Sequence, residues 1–295
     1  MIDQLKQLTG KKLIALLGAL TLLYLLFSWI WNPSILSDTT KKSEPAPTKQ
    51  IEKVSQPLTE KETKQFIEQL KKIIAEKSGT ISFTLLNESG ETVYNHSPET
   101  TYQMGQTFAP LLSYVALNNV EVNKGSYFAE NGQGKKDIMN SVSTMITEGN
   151  ESVANELLAT IGYENVLQDI REAGLKTFSI DTDSGSQIRI TSDDLAKFYF
   201  KLNSGDLLNI EQTDFLMEQL ASSHQFYSSS DYLPKHTKLF SQDSMSESGH
   251  YHDSGIMRIN DRSYYYGLLT YEEGAESSTQ ADFLKSIRLL MAENL

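Results

Sequence analysis

Apolar residues recur at helical spacing through the middle of this chain, and alternate with polar ones near both ends of its globular part. Thr59-Glu60-Lys61-Glu62 fits a capping box, and Phe66, Leu70, Ile73 and Ile74 follow on one helical face, predicting a helix over 60–77. Thr80 to Leu86 alternates and is rich in β-formers, Asn87-Glu88-Ser89-Gly90 turns, and Glu91 to His96 returns as the second strand of a hairpin. Helical spacing then governs Thr107 to Leu117, Asp137 to Ile146, Val153 to Ile161, Tyr163 to Ala173, Ser192 to Leu202 and Glu211 to Leu220. Three strands are predicted at Thr237 to Ser241, Ser254 to Ile259 and Ser263 to Tyr271, with Asn260-Asp261 as a tight turn, before an amphipathic helix from Ser277 to Ala292. Strands at both ends enclosing a run of helices imply an α/β fold of the α+β type. Its expected core is one five-stranded antiparallel sheet, flanked by the terminal helices, with a helical lobe inserted.

A different pattern occupies the N-terminus. From Leu13 to Trp31 there are 19 residues without a charge, about the length of a membrane-spanning helix. Lys6, Lys11 and Lys12 precede this stretch, and bulky Trp-Ile-Trp rather than small residues close it, so it reads as an uncleaved anchor. Residues 1–12 are then cytoplasmic, 13–31 transmembrane, and everything beyond extracytoplasmic. Residues 32–57, with Pro33, Pro45 and Pro47 and few apolar residues, read as a disordered linker, and 58–295 as the external domain. A flexible linker of that length has an r.m.s. reach of roughly 25–30 Å.

Charge and composition narrow the chemistry. The 295 residues include no cysteine, which removes disulfides, thiolate metal sites and a cysteine nucleophile. The formal net charge is −12, and residues 32–295 alone carry 23 basic and 37 acidic groups, a net −14. Such a surface repels phosphate backbones, so nucleic acid is not an expected partner. No cofactor is expected.

Several local sequences, in order, are similar to those of the serine β-lactamase and penicillin-binding D,D-peptidase superfamily, especially its class A-like branch. They are Tyr94-Asn95 before Tyr102-Gln103-Met104-Gly105-Gln106-Thr107-Phe108; Met145-Ile146 followed by Val153 to Leu158 and Ile161-Gly162; Ile190 to Ala196 leading to Leu202-Asn203-Ser204-Gly205; Leu233-Pro234; and His252-Asp253-Ser254-Gly255-Ile256. The resemblance spans about residues 60–293 and implies a β-lactamase-like fold with three motifs, S-x-x-K, S-D-N and K-T-G, around one groove. Here the first motif position reads Gln106-Thr107-Phe108-Ala109, with Gln for the nucleophilic Ser and Ala for the Lys. The second reads Gly149-Asn150-Glu151. The third is either Gln242-Asp243-Ser244 or Glu247-Ser248-Gly249, and neither contains the Lys. The segment that would carry a deacylating Glu, about Thr177 to Ile190, holds only Asp181 and Asp183 as acids.

Substitutes for the missing groups are few. Thr107 is turned about 100° around a helix from the nucleophile position. His250, His252 and Asp253 with Ser241, Ser244, Ser246 or Ser248 offer the residue types of a triad, but an adjacent His and Asp in a strand point to opposite faces. His250 and His252 share a face, with Glu247 or Asp243 nearby, yet that pattern is nonspecific and no metal is assigned. The resemblance therefore implies a pseudoenzyme, with Gln106, Asn150, Glu151, Gln242, Asp243 and Ser244 as groove candidates and a cell-wall peptide or a membrane-protein partner as ligand. Two alternatives stay open: a divergent serine hydrolase with a non-standard nucleophile, and an interaction module acting through an outer surface.

Overall fold

In a computed structural model of the chain, the structure describes residues 59–119, 126–128, 135–181, 187–223, 231–246 and 248–295. The anchor expected at 13–31, the linker and Asp183 and Glu247 lie outside these residues. Among the described residues, no helix is long and apolar enough to cross a membrane.

The first helix, α1 (Glu60–Glu76), begins at Thr59, whose side chain accepts from the Glu62 amide while the Glu62 carboxylate accepts from the Thr59 amide at 2.8 Å. Strands β1 (Thr80–Leu86) and β2 (Thr92–His96) form the hairpin, and β3 (Thr101–Gln103) leads into a 3₁₀ turn over Gly105–Phe108 and then α2 (Ala109–Asn118). A short β4 (Ser126–Phe128) and β5 (Lys135–Asp137) pair before α3 (Ile138–Thr147), α4 (Glu151–Ile161) and α5 (Tyr163–Glu172). The hairpin β6 (Ser179–Asp181) and β7 (Gln187–Thr191) precedes α6 (Ser192–Ser204) and α7 (Ile210–Ala221). Strands β8 (Thr237–Met245), β9 (His250–Ile259) and β10 (Arg262–Tyr271) and the helix α8 (Ser277–Asn294) complete the chain.

The main sheet has the order β2-β1-β10-β9-β8 and is antiparallel throughout, so the two N-terminal strands join the three C-terminal ones through the β1–β10 pairing. Its outer face, with Phe83, Tyr266, Leu268 and Met257, packs against Phe66 and Leu70 of α1 and Leu284, Ile287 and Met291 of α8. Truncating a core aromatic such as Phe83 to Ala removes about 3–5 kcal/mol. Its inner face supplies Leu86, Ile256, Tyr265 and Leu269 to a core shared with helices α2 to α7.

Part of the inner face is polar because a helix end presses on it. Ser192, at the start of α6, meets the hydroxyls of Ser82 at 2.7 Å and Thr84 at 3.0 Å. A Cβ on Gly267 would stand 2.5 Å from the Ser192 carbonyl oxygen, so only glycine permits this approach.

Sequence periodicity located the helices to within a few residues but shortened two strands. β8 runs on to Met245 and β9 starts at His250, four residues beyond and before the expected ends. The added stretches are polar yet buried on both faces, which erases the alternation that marks a half-exposed strand. Also unanticipated was the three-stranded sheet β3-β7-β6, which occupies the segment read as a loop of acids; Asp181 ends β6 with its side chain exposed.

Candidate functional site

The 3₁₀ turn brings the first motif position to the junction of the two cores. Gly105 has φ of +52°, and its missing Cβ would lie 2.8 Å from Ser244 Oγ, so the turn lies close against β8. Ser244 Oγ donates to the Met104 carbonyl at 3.3 Å, and His252 Nε2 bonds the Gln103 carbonyl at 2.6 Å. Ser244 and His252 are register partners on β8 and β9, so one cross-strand pair clamps two successive carbonyls ahead of the turn.

The clamp distinguishes the two stretches read as candidates for the third motif. Gln242-Asp243-Ser244 runs along the 3₁₀ turn, whereas Ser248 and Gly249 sit at the tip of the β8–β9 hairpin, where the Gly249 carbonyl accepts from the Glu272 amide at 2.9 Å. Strand alternation then separates the three side chains. Gln242 and Ser244 face the helical lobe; Asp243 faces α8, with its carboxylate 3.6 Å from the Arg288 guanidinium. Asp243 therefore does not belong to the groove, contrary to the sequence expectation. That expectation took three consecutive residues of a strand as one surface.

Arg288 is the centre of a buried network on that outer face. Its Nε and Nη2 donate to the two Asp253 carboxylate oxygens at 2.6 and 2.7 Å, and Nη2 also reaches Ser241 Oγ at 3.3 Å. Tyr266 donates its hydroxyl to Asp253 at 3.0 Å; burial and then the Asp253 charge push that hydroxyl well above its ordinary range, so it remains a donor. Asp253 and His252 thus point away from each other, and no Ser–His–Asp relay forms through them. His252 is held neutral, pushed down to about 4 mainly by burial. Both of its ring nitrogens are engaged, Nε2 by Gln103 and Nδ1 by the Thr270 amide at 3.2 Å, which leaves neither for a metal. Thr107 is fully buried and donates to the Met104 carbonyl, away from the groove.

On the helical side, a cavity of about 200 Å³ brings together Gln106, Ala109, Gly149, Asn150 and Glu151. Asn150 caps α4 by accepting from the Val153 amide at 3.2 Å, and Glu151 opens the helix with an exposed side chain. Gln106 Nε2 donates to the Gly149 carbonyl at 3.1 Å and so ties the first motif position to the second. Phe108, Met145, Leu158 and Ile188 give the cavity an apolar wall, with Asn155 and Tyr163 as further polar neighbours. Sequence reasoning missed Tyr163 and Ile188, which arrive from α5 and β7; only the three-dimensional arrangement brings them to the first two motifs. Gln242 and Ser244 are buried beside the turn and do not line this cavity.

The profile of the beta-lactamase enzyme family matches residues 135–290, more than half of the sequence. The chain belongs to that family. The matched stretch contains the second and third motif positions and starts after the first. Among solved structures, the β-lactamase-like fold is shared with the TLA-3 extended-spectrum beta-lactamase, at TM-score 0.69 and 14% identity over 78% of this chain and 98% of that one. A class A beta-lactamase from Bacteroides cellulosilyticus aligns at TM-score 0.67 and 13% identity, over 79% of this chain and 98% of that one. PBP-A aligns at TM-score 0.68 and 13% identity, over 78% of this chain and 95% of that one. No curated protein matches the chain by sequence.

Proposed function

We propose that this chain is a membrane-tethered, externally displayed member of the beta-lactamase enzyme family that binds a ligand in its groove without hydrolysing it. The observation carrying this reading is the amide of Gln106 at the nucleophile position, bonded across to Gly149, with Ala109 one turn later. A carboxamide nitrogen delocalises its lone pair into the carbonyl and does not attack an acyl group, and a methyl group takes no proton. The anchor reading rests on residues 13–31 and their flanking lysines.

The groove's chemistry suggests its ligand class. Among the described residues its cavity is lined by no Lys or Arg, its wall is partly apolar, and its rim carries Glu151 at the first position of α4. A neutral amide or a basic group fits this lining better than a carboxylate does. A cell-envelope peptide or a Lys/Arg-bearing loop of a membrane-protein partner supplies such a group.

The test is incubation of the protein with a fluorescent penicillin, followed by intact-mass measurement. No covalent adduct is expected. An adduct that persists in Gln106→Ala but vanishes with another single Ser or Thr substitution overturns the reading and identifies the nucleophile of a divergent hydrolase. In a crosslinking pull-down, Glu151→Lys is expected to lower partner recovery; unchanged recovery from folded protein moves the binding surface elsewhere.

A further inference from the structure

The β3–β7 pairing builds a second polar cleft, separate from the groove, against the ends of β9 and β10. It encloses about 410 Å³ and includes Thr80, Gln103, Gln187, Arg189, His250 and Tyr271. Its two basic side chains come from different elements. Arg189 lies opposite Gln103 in the β3–β7 register and is half-buried, with its Nη2 donating to the Thr101 carbonyl at 3.0 Å. His250 opens β9 and lies against the Tyr271 ring, the centroids 4.8 Å apart.

Among the described residues, neither group has a neutralising partner. Among the described residues, Arg189 makes no ion pair, in a chain where acidic groups outnumber basic ones 38 to 26. His250 Nδ1 is buried without a hydrogen-bond partner. Burial, and after it the Arg189 charge, lowers the affinity of His250 for a proton. Arg189, with the His250 ring held toward its neutral form beside it and hydroxyl and amide groups around both, forms a local positive spot on an acidic protein. Arg189 presents a planar fork suited to an oxyanion, and the hydroxyls of Thr80 and Ser248 with the amides of Gln103 and Gln187 suit a polar body attached to it.

We propose that this cleft binds an oxyanion, a carboxylate or a phosphate carried on a polar ligand, through Arg189 and His250. The site is independent of the groove and selects the opposite charge.

The test uses the full chain in detergent micelles, titrated calorimetrically with glucuronate, inorganic phosphate and, as a neutral control, glucose. At least one of the two anions is expected to bind saturably and glucose is not. Binding of glucuronate alone assigns a carboxylate ligand, and binding of phosphate alone a phosphate-bearing one. Arg189→Gln is expected to weaken binding roughly tenfold or more, the loss of one charge-assisted contact. Because Arg189 also holds the Thr101 carbonyl, Arg189→Lys and a thermal melt separate lost binding from a loosened hairpin. Saturation must also shift the His250 ring resonances in the unaltered protein. Absence of binding by both anions, equal binding of glucose, unchanged affinity in folded Arg189→Gln, or unmoved His250 resonances each overturns the proposal.

Discussion

The two faces of strands β8 and β9 have opposite relations to chemistry. On the outer face, Asp253, Asp243, Arg288, Tyr266 and Ser241 form a charged network closed off from solvent. On the inner face, one residue along, Gln242 and Ser244 lie beside the 3₁₀ turn, and Ser244 and His252 bond backbone groups, the Met104 and Gln103 carbonyls and the Thr270 amide. A buried ion pair is tolerated where its removal strands a charge, whereas the inner face has no charge left to satisfy. The difference teaches that buried polar groups one residue apart on the same strands serve two ends: the outer ones pair charges and hold the strands to α8, the inner ones fix the backbone ahead of the 3₁₀ turn.

The sharpest way to break that comparison is Arg288→Met. With the guanidinium gone, Asp253 keeps a buried carboxylate and loses its bidentate partner, and an uncompensated buried charge costs about 3–5 kcal/mol. Urea unfolding is expected to show that loss. A change of less than about 0.5 kcal/mol, the usual size of a surface substitution, would mean that the network does not hold the fold.

The next effect is a pH dependence from the inner face. His252 is neutral in the fold with its pKa pushed down to about 4, against an ordinary value near 6.5 when unfolded. Between those values the unfolded chain binds more protons than the folded one, so stability falls as pH drops through this window, by about 3 kcal/mol in all. Its contribution is intact above about pH 6.5. Glu272, bonded by Lys77 and Ser78 and held down to about 2, acts in a lower window: its stabilisation is present above the ordinary carboxylate value and is lost as pH falls toward 2. Denaturant titrations across pH 4 to 7 are expected to show the slope, and His252→Gln to flatten it. An equal slope in that variant would assign the dependence to other groups.

The same division explains what the sequence made legible. Helices announced themselves through caps and periodicity, as at Thr59 with Glu62 and at Asn150 before α4. Gln106, Ala109 and Gly149 to Glu151 were singled out from short local matches, and the fold brings all five to one cavity. Asp243 was misread because its partner Arg288 lies on a helix far along the chain. The signal was present: Arg288 sits on the apolar stripe of Leu284, Ile287 and Met291, where a cation has to be met by a buried acid. The ends of β8 and β9 were not readable because both faces there are covered and polar residues fill them. The β6–β7 hairpin escaped because its strands are short and largely half-exposed, with few apolar positions to alternate.

The smallest expected effect sharpens the comparison at the groove itself. Gln106→Ala removes the bond from the side-chain amide to the Gly149 carbonyl without creating a buried charge. A single neutral hydrogen bond contributes about 1 kcal/mol net, so the melting curve should shift only slightly and the domain should stay folded. The cavity beside Ala109 would enlarge without gaining a nucleophile, and the variant should remain inert toward a chromogenic cephalosporin. A loss above about 3 kcal/mol would make Gln106 a structural strut comparable to Arg288 and erase the distinction between the two faces. Cephalosporin turnover that appears only in this variant would mean that Gln106 blocks an intact reaction centre, so that the inner face conceals chemistry instead of lacking it.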